Sequence, residues 1–325
     1  MPSIYVHNYF AKDIQSKLNK EKNIKKINDP KYFYIFAQSF DNLFYYNFYK
    51  PTNGKLYRHL GHYAHVHKVS KFFTNLVVYI KENNLYDDEN IGMLYGFLSH
   101  YALDSTAHPY IHYVSGRFSK SNKKKTKKYK GNHAINEIML DSIYYYKDHS
   151  EKYYKYKLYD DLIPNMEFSS TLKSTIDYTF KHTFNVDNIG VIYNKAYNHS
   201  RKAYKYLMYD RFNIKKLLYH VVDFIYPFKR FKAYSYSHHI NHIDNTILNE
   251  GHKIWLHPVT GEEHTESFYD LYDISMKKVL KYINKCNEYF NDKCSLEELK
   301  KVIGNISYSS GLDCEIRANF QYFSY

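Results

Sequence analysis

The sequence contains little cysteine, glycine, proline or tryptophan: its 325 residues include 3 Cys, 11 Gly, 7 Pro and 1 Trp. Cys286, Cys294 and Cys314 are an odd number near the C-terminus and lack the paired spacing of a thiolate metal site. We therefore expect a reducing compartment and no catalytic or metal role for them. With so little Gly and Pro and 44% hydrophobic residues, the composition favours a compact globular protein over a disordered one.

Long hydrophobic runs are missing as well. No segment has about 18 consecutive apolar residues, the length that a transmembrane helix needs. Residues 1–7 lack the basic flank, apolar run and small-residue cleavage site of a signal peptide. These absences predict a soluble, cytoplasmic protein without a transmembrane segment, and they leave open secretion by a non-standard route.

Positive charge is in excess. Lys and Arg number 46 against 33 Asp and Glu, which gives a formal net charge of +13. Such a charge favours anionic partners, but it does not distinguish lipid head groups from nucleic acid. The 40 Tyr and 21 Phe supply apolar surface. Because an AT-rich genome encodes much Tyr, Lys, Asn and Ile in any case, we assign the tyrosines no function.

Apolar residues recur with helical periodicity along most of the chain, and no series of alternating apolar and polar segments indicates a sheet. The pattern predicts an all-α fold, a multi-helix single domain over residues 1–325. The lysine-rich stretch 120–130 is too charged to pack and is predicted to be a solvated, mobile loop. Residues 226–266 are predicted to be irregular, with helix again to the C-terminus.

Three predicted helices matter for the site. One covers residues 32–46 and contains Asp41, a buried carboxylate that needs a partner. A second, long helix covers about 58–82. The third is predicted to stop near His108, because Pro109 pushes the residue before it out of the α region.

The pattern His100-x-x-x-Asp104-x-x-x-His108 forms one stripe on this third helix, because positions four apart lie only about 40° from each other around the axis. His100 and His108 lie roughly 12 Å apart along the axis, so one metal ion can hardly hold both, whereas Asp104 between them could bridge two. Another helix repeats the spacing in His133-x-x-x-Glu137. Two such pairs on separate helices reduce the chance that either is accidental.

Eight side chains are candidate metal ligands, and all are imidazoles or carboxylates: His7, Asp41, His65, His100, Asp104, His108, His133 and Glu137. Such ligands suit zinc or related divalent ions in an open, catalytic site, whereas a closed structural site more often uses thiolates. The set therefore indicates hydrolysis. We expect ordinary surface or core roles for the remaining clustered histidines: His59, His62, His67, His238, His239 and His242.

With these residues in this order, the chain resembles the zinc-dependent phospholipases C of Gram-positive bacteria, which share an all-α fold and a trinuclear zinc site with the S1/P1-type nucleases. The resemblance rests on MPSIYVHNYFA at 1–11, AQSFD at 37–41, LGHYAH at 60–65 and the two His-x-x-x-carboxylate pairs. A looser match continues through 249–272, so the resemblance covers most of the chain.

Carried over residue by residue, the resemblance implies two or three zinc ions: one held by Asp41, His65, His100 and Asp104, a second by His108, His133 and Glu137, and a third by His7 with Asp104 as a bridge. In the secreted relatives a processed N-terminal residue binds the third zinc through its amino group. The spacing from that residue to the first His is longer than the spacing from Met1 or Pro2 to His7 in this chain. Those relatives also space the second His of the stripe further from the Asp. His112 therefore competes with His108, which we favour.

The resemblance implies a zinc-dependent phosphodiester hydrolase of phospholipase C type, in which metal-activated water attacks the phosphorus of a phospholipid and releases a phosphorylated head group. The predicted catalytic residues are Asp41, Asp104 and Glu137, with Asp41 acting either as a base or only as a ligand. Asp141 either orients a metal-bound imidazole or is a surface charge.

Other functions remain open at this point. A nuclease or a small-molecule phosphatase would use the same metals, and a non-catalytic relative would only bind anionic membranes. The stretch 120–130 connects two ligand-bearing helices. If it overhangs the site, Lys124 and Lys125 would contact the anionic substrate or a membrane surface; otherwise it is a solvated insertion.

Overall fold

A computed structural model of the chain describes residues 4–21, 24–50, 52–118, 123–149, 157–210, 212, 214–225, 231 and 244–324. Within these ranges the α-helices are α1 (Ile4–Leu18), α2 (Lys31–Phe36), α3 (Lys55–Val66), α4 (Val69–Glu82), α5 (Asp88–Ser115), α6 (Lys123–Thr126), α7 (Asn132–His149), α8 (Leu158–Asp161), α9 (Ser170–Phe184), α10 (Ile189–Ala203), α11 (Ile214–Ile225), α12 (Phe268–Phe290) and α13 (Leu296–Ile303). Shorter turns are the 3-10 helices Ser39–Tyr45, Lys127–Tyr129 and Asn245–Leu248 and the π-helix Tyr204–Met208.

The predicted all-α fold is confirmed. Among the described residues the one sheet is a two-stranded antiparallel ribbon of β1 (Trp255–Leu256) and β2 (Glu263–His264). None of the described helices combines the length and the apolar character needed to span a bilayer.

Helix α5 is the central element of the described structure, and every residue from Asn90 to Ala107 is buried. Its N-terminus is capped by Asp87, whose side chain accepts a hydrogen bond from the backbone N–H of Asn90. It packs most extensively against α2 and α12 and also contacts α1, α4 and α7. A helix covered on all sides has no polar face, so the imidazole of His100 and the carboxylate of Asp104 are buried and need partners.

The predicted end of this helix before Pro109 is wrong, because α5 continues to Ser115. A proline removes one N–H donor from the helix, and tertiary packing can outweigh that loss. The C-terminal segment packs against this turn: a Cβ on Gly311 would lie only 2.8 Å from the carbonyl oxygen of Ser105. The stripe of three predicted ligands therefore stays on one uninterrupted helix.

Two other predicted helices are broken. The range 32–46 contains α2 and then the 3-10 turn that carries Asp41, and Ser39 at the start of this turn has a φ of 43°. The range 58–82 contains parts of α3 and α4, which are separated at Lys68 with a φ of 59°. Left-handed backbone is unfavourable for residues with a Cβ. Periodicity does not reveal these breaks, because the apolar pattern continues through them.

The C-terminal segment is not helical to its end, contrary to the prediction. After α13, residues 304–324 form turns and extended chain. Gly304, which ends α13, and Gly311, in a later turn, have φ values of 71° and 69°, which glycine adopts at little cost. The N–H of Tyr308 donates a hydrogen bond to the carbonyl oxygen of His65 at 2.8 Å, so this segment is tied to α3.

The two predicted loops are only partly irregular. In the lysine-rich stretch, residues 123–129 form α6 and a 3-10 turn, in keeping with the good helix propensity of lysine. Lys124 and Lys125 are exposed, as expected for a solvated segment. The described part of the range 226–266 contains a 3-10 turn and the β-ribbon.

Substitution of Gly96 tests the packing of α2 on α5. A Cβ at Gly96 would lie 2.6 Å from the backbone carbonyl carbon and the Cβ of Phe36. Although alanine is favoured over glycine in helices by about 1 kcal/mol, we expect Gly96→Ala to lower the free energy of unfolding by ~1–3 kcal/mol, because α2 must move. Urea unfolding followed by circular dichroism measures this change.

The control for this substitution is Gly251→Ala, where a Cβ would meet nothing within 4 Å. It should change the free energy of unfolding by less than about 0.5 kcal/mol. A Gly96→Ala protein at least as stable as wild type would contradict the close approach of the two helices.

Candidate metal centre

Three groups of imidazole and carboxylate side chains meet on or beside α5, and within each group the potential ligand atoms lie within 4.8 Å of one another. Among the described residues they are the His7 group (His7, His100 and Asp104), the Asp41 group (Asp41, His65 and His100) and the Glu137 group (His108, His133 and Glu137). The structure thus brings together all eight predicted side chains. It places Asp104 with His7, as the resemblance implies for a bridging carboxylate, and adds His100 to that group, whereas the Asp41 group does not include Asp104.

Asp104 connects the groups. Its Oδ1 lies 3.2 Å from Nε2 of His7, and its Oδ2 lies 3.0 Å from Nε2 of His100 and 3.4 Å from Nδ1 of His108. The rings of His7 and His100 are stacked with their centroids 4.1 Å apart. The carboxylate therefore faces imidazoles from two groups at once, as a bridging ligand must.

Backbone carbonyls fix the orientation and the tautomer of three of the imidazoles. The paired atoms are Nδ1 of His100 and the oxygen of Ala37 at 2.8 Å, Nδ1 of His65 and the oxygen of Gly61 at 2.7 Å, and Nδ1 of His108 and the oxygen of Tyr308 at 2.9 Å. Since a carbonyl oxygen only accepts, each Nδ1 carries the proton and donates. In the neutral form of each ring, Nε2 therefore carries a lone pair.

Each of these Nε2 atoms lies beside a carboxylate oxygen: His65 is 3.1 Å from Asp41, His100 is 3.0 Å from Asp104 and His108 is 3.2 Å from Glu137. Two electron-rich atoms at this distance repel each other unless a proton or a cation lies between them. Nε2 of His100 and Oδ2 of Asp104 have no hydrogen-bond partner of good geometry among the described residues, which is costly in a buried site.

The donor set therefore fits divalent zinc. Neutral imidazole Nε2 and carboxylate oxygens are ligands that zinc accepts in catalytic sites. The Nδ1–H bonds to backbone carbonyls are the outer contacts that usually orient a metal-bound imidazole. All three groups offer both ligand types.

Charges within the groups shift the pKa values of their members. Burial by itself would lower the pKa of His108, but Asp104 and Glu137 outweigh it and raise the pKa to about 9. Burial would raise the pKa of Asp104, but the imidazoles of His100, His108 and His7 hold it well below its usual range. The pKa of His7 falls to about 4, because burial and the charge of His100 lower it. Without metal, His108 is protonated at neutral pH, and a divalent cation would displace that proton.

The Asp41 group depends on close packing of α3 against the preceding 3-10 turn. A Cβ on Gly61 would lie 3.3 Å from the carbonyl oxygen of Phe40, so glycine lets the two segments approach. The left-handed Ser39 turns the chain just before Asp41. Together these two features bring Asp41 and His65 within reach of one ion.

Asp141 positions the first helix. It is buried, and its Oδ1 accepts a hydrogen bond from the backbone N–H of Val6 at 2.9 Å. This bond ties α7 to the first turn of α1, immediately before His7, and a carboxylate at a helix N-terminus is favoured by the helix dipole. The surface-charge alternative for Asp141 is therefore wrong.

His108 and His112 differ in their contacts. Nε2 of His108 and Nε2 of His133 each lie 3.2 Å from Oε1 of Glu137. His112 lies outside this group, with its Nε2 3.1 Å from the hydroxyl oxygen of Ser309. Burial and the neighbouring charges of His133 and His108 hold the pKa of His112 well below its usual range, so this ring is neutral at pH 7.

A cleft of about 460 Å³ opens beside the groups and is lined by Asp41, Phe44, His62, His65, Val66, His108, His112, His133 and Ser309. The sequence did not single out Ser309, and its contact with a residue 197 positions away leaves no local signal. His62 was assigned an ordinary role, although its i,i+3 spacing to His65 puts both on one face of α3. Lys124 and Lys125 do not line this cleft, so their contact with substrate stays a prediction. His238, His239 and His242 lie outside the described residues.

Zinc content distinguishes the two competing histidines. We expect His108→Ala to lose about one equivalent of zinc per chain, because it removes a ligand atom from the Glu137 group. His112→Ala should keep the wild-type zinc content, with an affinity at most about 10–100-fold weaker. Mass spectrometric metal analysis after dialysis against dilute zinc measures both, and circular dichroism checks folding. The reverse pattern would make His112 the ligand.

Comparisons with known proteins bear on the same residues. The sequence pattern of the family described as zinc-dependent phospholipase C matches residues 6–186, which is more than half of the chain. A search among curated proteins and a search among solved structures gave no match. The matched range contains all eight side chains of the three groups and ends before α11 and the C-terminal segment. A chain whose all-α fold carries these groups, and whose sequence matches the family over this range, belongs to the zinc-dependent phospholipase C family.

Proposed function

We propose that the protein is a zinc-dependent phosphodiesterase of phospholipase C type that releases the phosphorylated head group from a phospholipid. The observation that carries this proposal is the joining of three imidazole–carboxylate groups through Asp104 and His100 beside one open cleft. Clustered cations suit a phosphodiester, because its oxygens carry charge that increases as the leaving group departs.

Two or three zinc ions would be held by the three groups. The Asp41 group and the Glu137 group each offer three ligands, and the His7 group offers His7 with Asp104 as a bridge. Bound zinc lowers the pKa of water toward neutrality and neutralises charge on the phosphate oxygens.

The remaining chemistry belongs to the chain's own residues. Asp41 lines the cleft, where its carboxylate can accept a proton from water or serve only as a ligand. The neutral imidazole of His112 and the hydroxyl of Ser309 also line the cleft. Both can donate a hydrogen bond to a non-bridging phosphate oxygen, which would orient the substrate.

An apolar groove favours a lipid over a nucleic acid. This groove, of about 540 Å³, is lined by Leu56, Tyr57, His59, Leu60, His62, Tyr63, Val66, Phe184 and Val186. It shares His62 and Val66 with the cleft beside the metal groups. An acyl chain of a substrate bound in the cleft could therefore lie in it and remove apolar surface from water. A nucleic acid carries no aliphatic chain that could lie along this groove.

The isosteric substitution Asp104→Asn tests the catalytic proposal. It preserves the shape of the side chain but removes the charge that faces three imidazoles. We expect loss of bound zinc and a fall in phosphodiesterase activity of more than about 100-fold, since even residues that only orient ligands cost up to that much. The exposed Asp161→Asn is the matched control and should keep both.

The substrates for this test are phosphatidylcholine, phosphatidylinositol and single-stranded DNA, assayed side by side. Hydrolysis of DNA alone would make the protein a nuclease on the same metals. Protein prepared without chelator that contains no metal and is fully stable would contradict the catalytic proposal itself.

Leu56→Asp tests the acyl groove. Leu56 is exposed, so the substitution should leave the fold intact, and it places a charge in the groove. We expect kcat/KM for a long-chain phospholipid to fall by about tenfold or more, because a leucine side chain that a bound acyl chain covers contributes up to roughly 1.5–3 kcal/mol. Hydrolysis of the soluble ester bis(p-nitrophenyl) phosphate should be unchanged. An equal loss of kcat/KM on both substrates would contradict a role of the groove in binding the acyl chain.

A further inference from the structure

Helix α11 has an apolar face that contacts solvent. Six of its side chains are between 49% and 87% exposed: Ile214, Leu217, Leu218, Val221, Phe224 and Ile225. None of the twelve residues of this helix is buried. Exposed apolar side chains are ordinary when scattered, but a contiguous set on one helix marks an interaction surface.

The six side chains form a single stripe. At about 100° per residue they fall within an arc of roughly 120°, the width of an amphipathic helix face. Lys215 and Tyr219 lie on the opposite side, where they bond to the preceding turn. The hydroxyl of Tyr219 donates a hydrogen bond to the carbonyl oxygen of Leu207 at 2.7 Å. The ammonium group of Lys215 donates one to the carbonyl oxygen of Lys205 at 3.4 Å. These bonds hold α11 with its apolar stripe directed away from the turn.

The surroundings of this stripe in the sequence are strongly basic. Residues 201–232 contain nine Lys and Arg but only two acidic residues, Asp210 and Asp223. This stretch therefore supplies a net charge of +7 toward the +13 of the chain. An apolar stripe with a basic flank complements a surface that is anionic outside and apolar just beneath, which is the chemistry of a bilayer containing acidic lipids.

We propose that α11 is a membrane-docking helix that lies in the interface of a bilayer containing anionic lipid. Twelve residues at about 1.5 Å each reach only about 18 Å, so the helix can lie in the interface but cannot span a hydrocarbon core of about 30 Å. The choice of a bilayer over a protein partner rests in part on the proposed function, because a phospholipase must reach substrate in a membrane. The docking helix is a different segment of the chain from the lysine-rich stretch at 120–130.

Vesicle flotation of the full chain tests this proposal. Wild type should float with vesicles of phosphatidylcholine and phosphatidylglycerol, bind less to phosphatidylcholine alone, and bind less in high salt. The double variant Leu217→Ser/Phe224→Ser should bind the anionic vesicles about tenfold or more weakly, because it removes two apolar anchors. Its hydrolysis of bis(p-nitrophenyl) phosphate should match wild type.

The matched control is Ile254→Ser/Ile316→Ser, which removes two exposed apolar side chains outside α11 and should bind as wild type does. A Phe224→Trp variant gives a second measurement that does not depend on lost binding. The native Trp255 is buried, so new fluorescence that is quenched by brominated lipid would report insertion of α11.

Three results would overturn the proposal. The first is equal flotation of the Leu217→Ser/Phe224→Ser variant and wild type, and the second is no quenching of Trp at position 224. The third is that wild type is a dimer and does not bind vesicles, while the double variant is a monomer. The last result would make the stripe an interface between two copies. Failure of the proposed function is distinguishable, because it would leave flotation intact while no phosphodiester is hydrolysed.

Discussion

The buried carboxylate of Asp104, in the middle of α5, requires that charged or polar groups from other helices lie against it. A carboxylate at this depth is stable only beside positive charge or hydrogen-bond donors. The imidazoles of His7, His100 and His108 provide that environment, and they come from two different helices. Helix α1 must therefore be held beside α5, and the buried bond from the N–H of Val6 to Asp141 ties α1 to α7, which itself contacts α5. The packing of the central helix against its neighbours and the assembly of the three groups therefore depend on each other.

Orientation of the ligands is provided mainly by the backbone. The carbonyl oxygens of Ala37, Gly61 and Tyr308 accept from three imidazoles and leave each Nε2 beside a carboxylate. A carbonyl can be supplied by almost any residue type, so these contacts constrain the fold more than the sequence. Tyr308 lies outside the range matched by the family pattern, yet it orients a side chain inside that range. The C-terminal segment is thus part of the site.

The family is zinc-dependent and indicates phosphodiester chemistry at family level, and we propose that access to substrate depends on surfaces outside the groups. The apolar groove is concave and adjoins the cleft, which suits one acyl chain. The stripe of α11 is a single exposed helix face beside basic sequence, which suits an extended anionic surface. In these two proposals both surfaces would use the hydrophobic effect, and the shape of each surface favours a different partner.

The helical class and the candidate ligand pairs His100/Asp104 and His133/Glu137 could be predicted from the sequence alone, because i,i+4 spacing on a helix is a local property. Three features depend on the tertiary structure: α5 continues through Pro109, His100 lies in both the His7 group and the Asp41 group, and the C-terminal segment reaches His108. Each of these depends on contacts between segments far apart in the chain, whose free energy outweighs local preferences such as the helix-breaking tendency of proline. The left-handed Ser39 and Lys68 escaped detection for the same reason, since tertiary packing sustains a backbone conformation that the residue type disfavours.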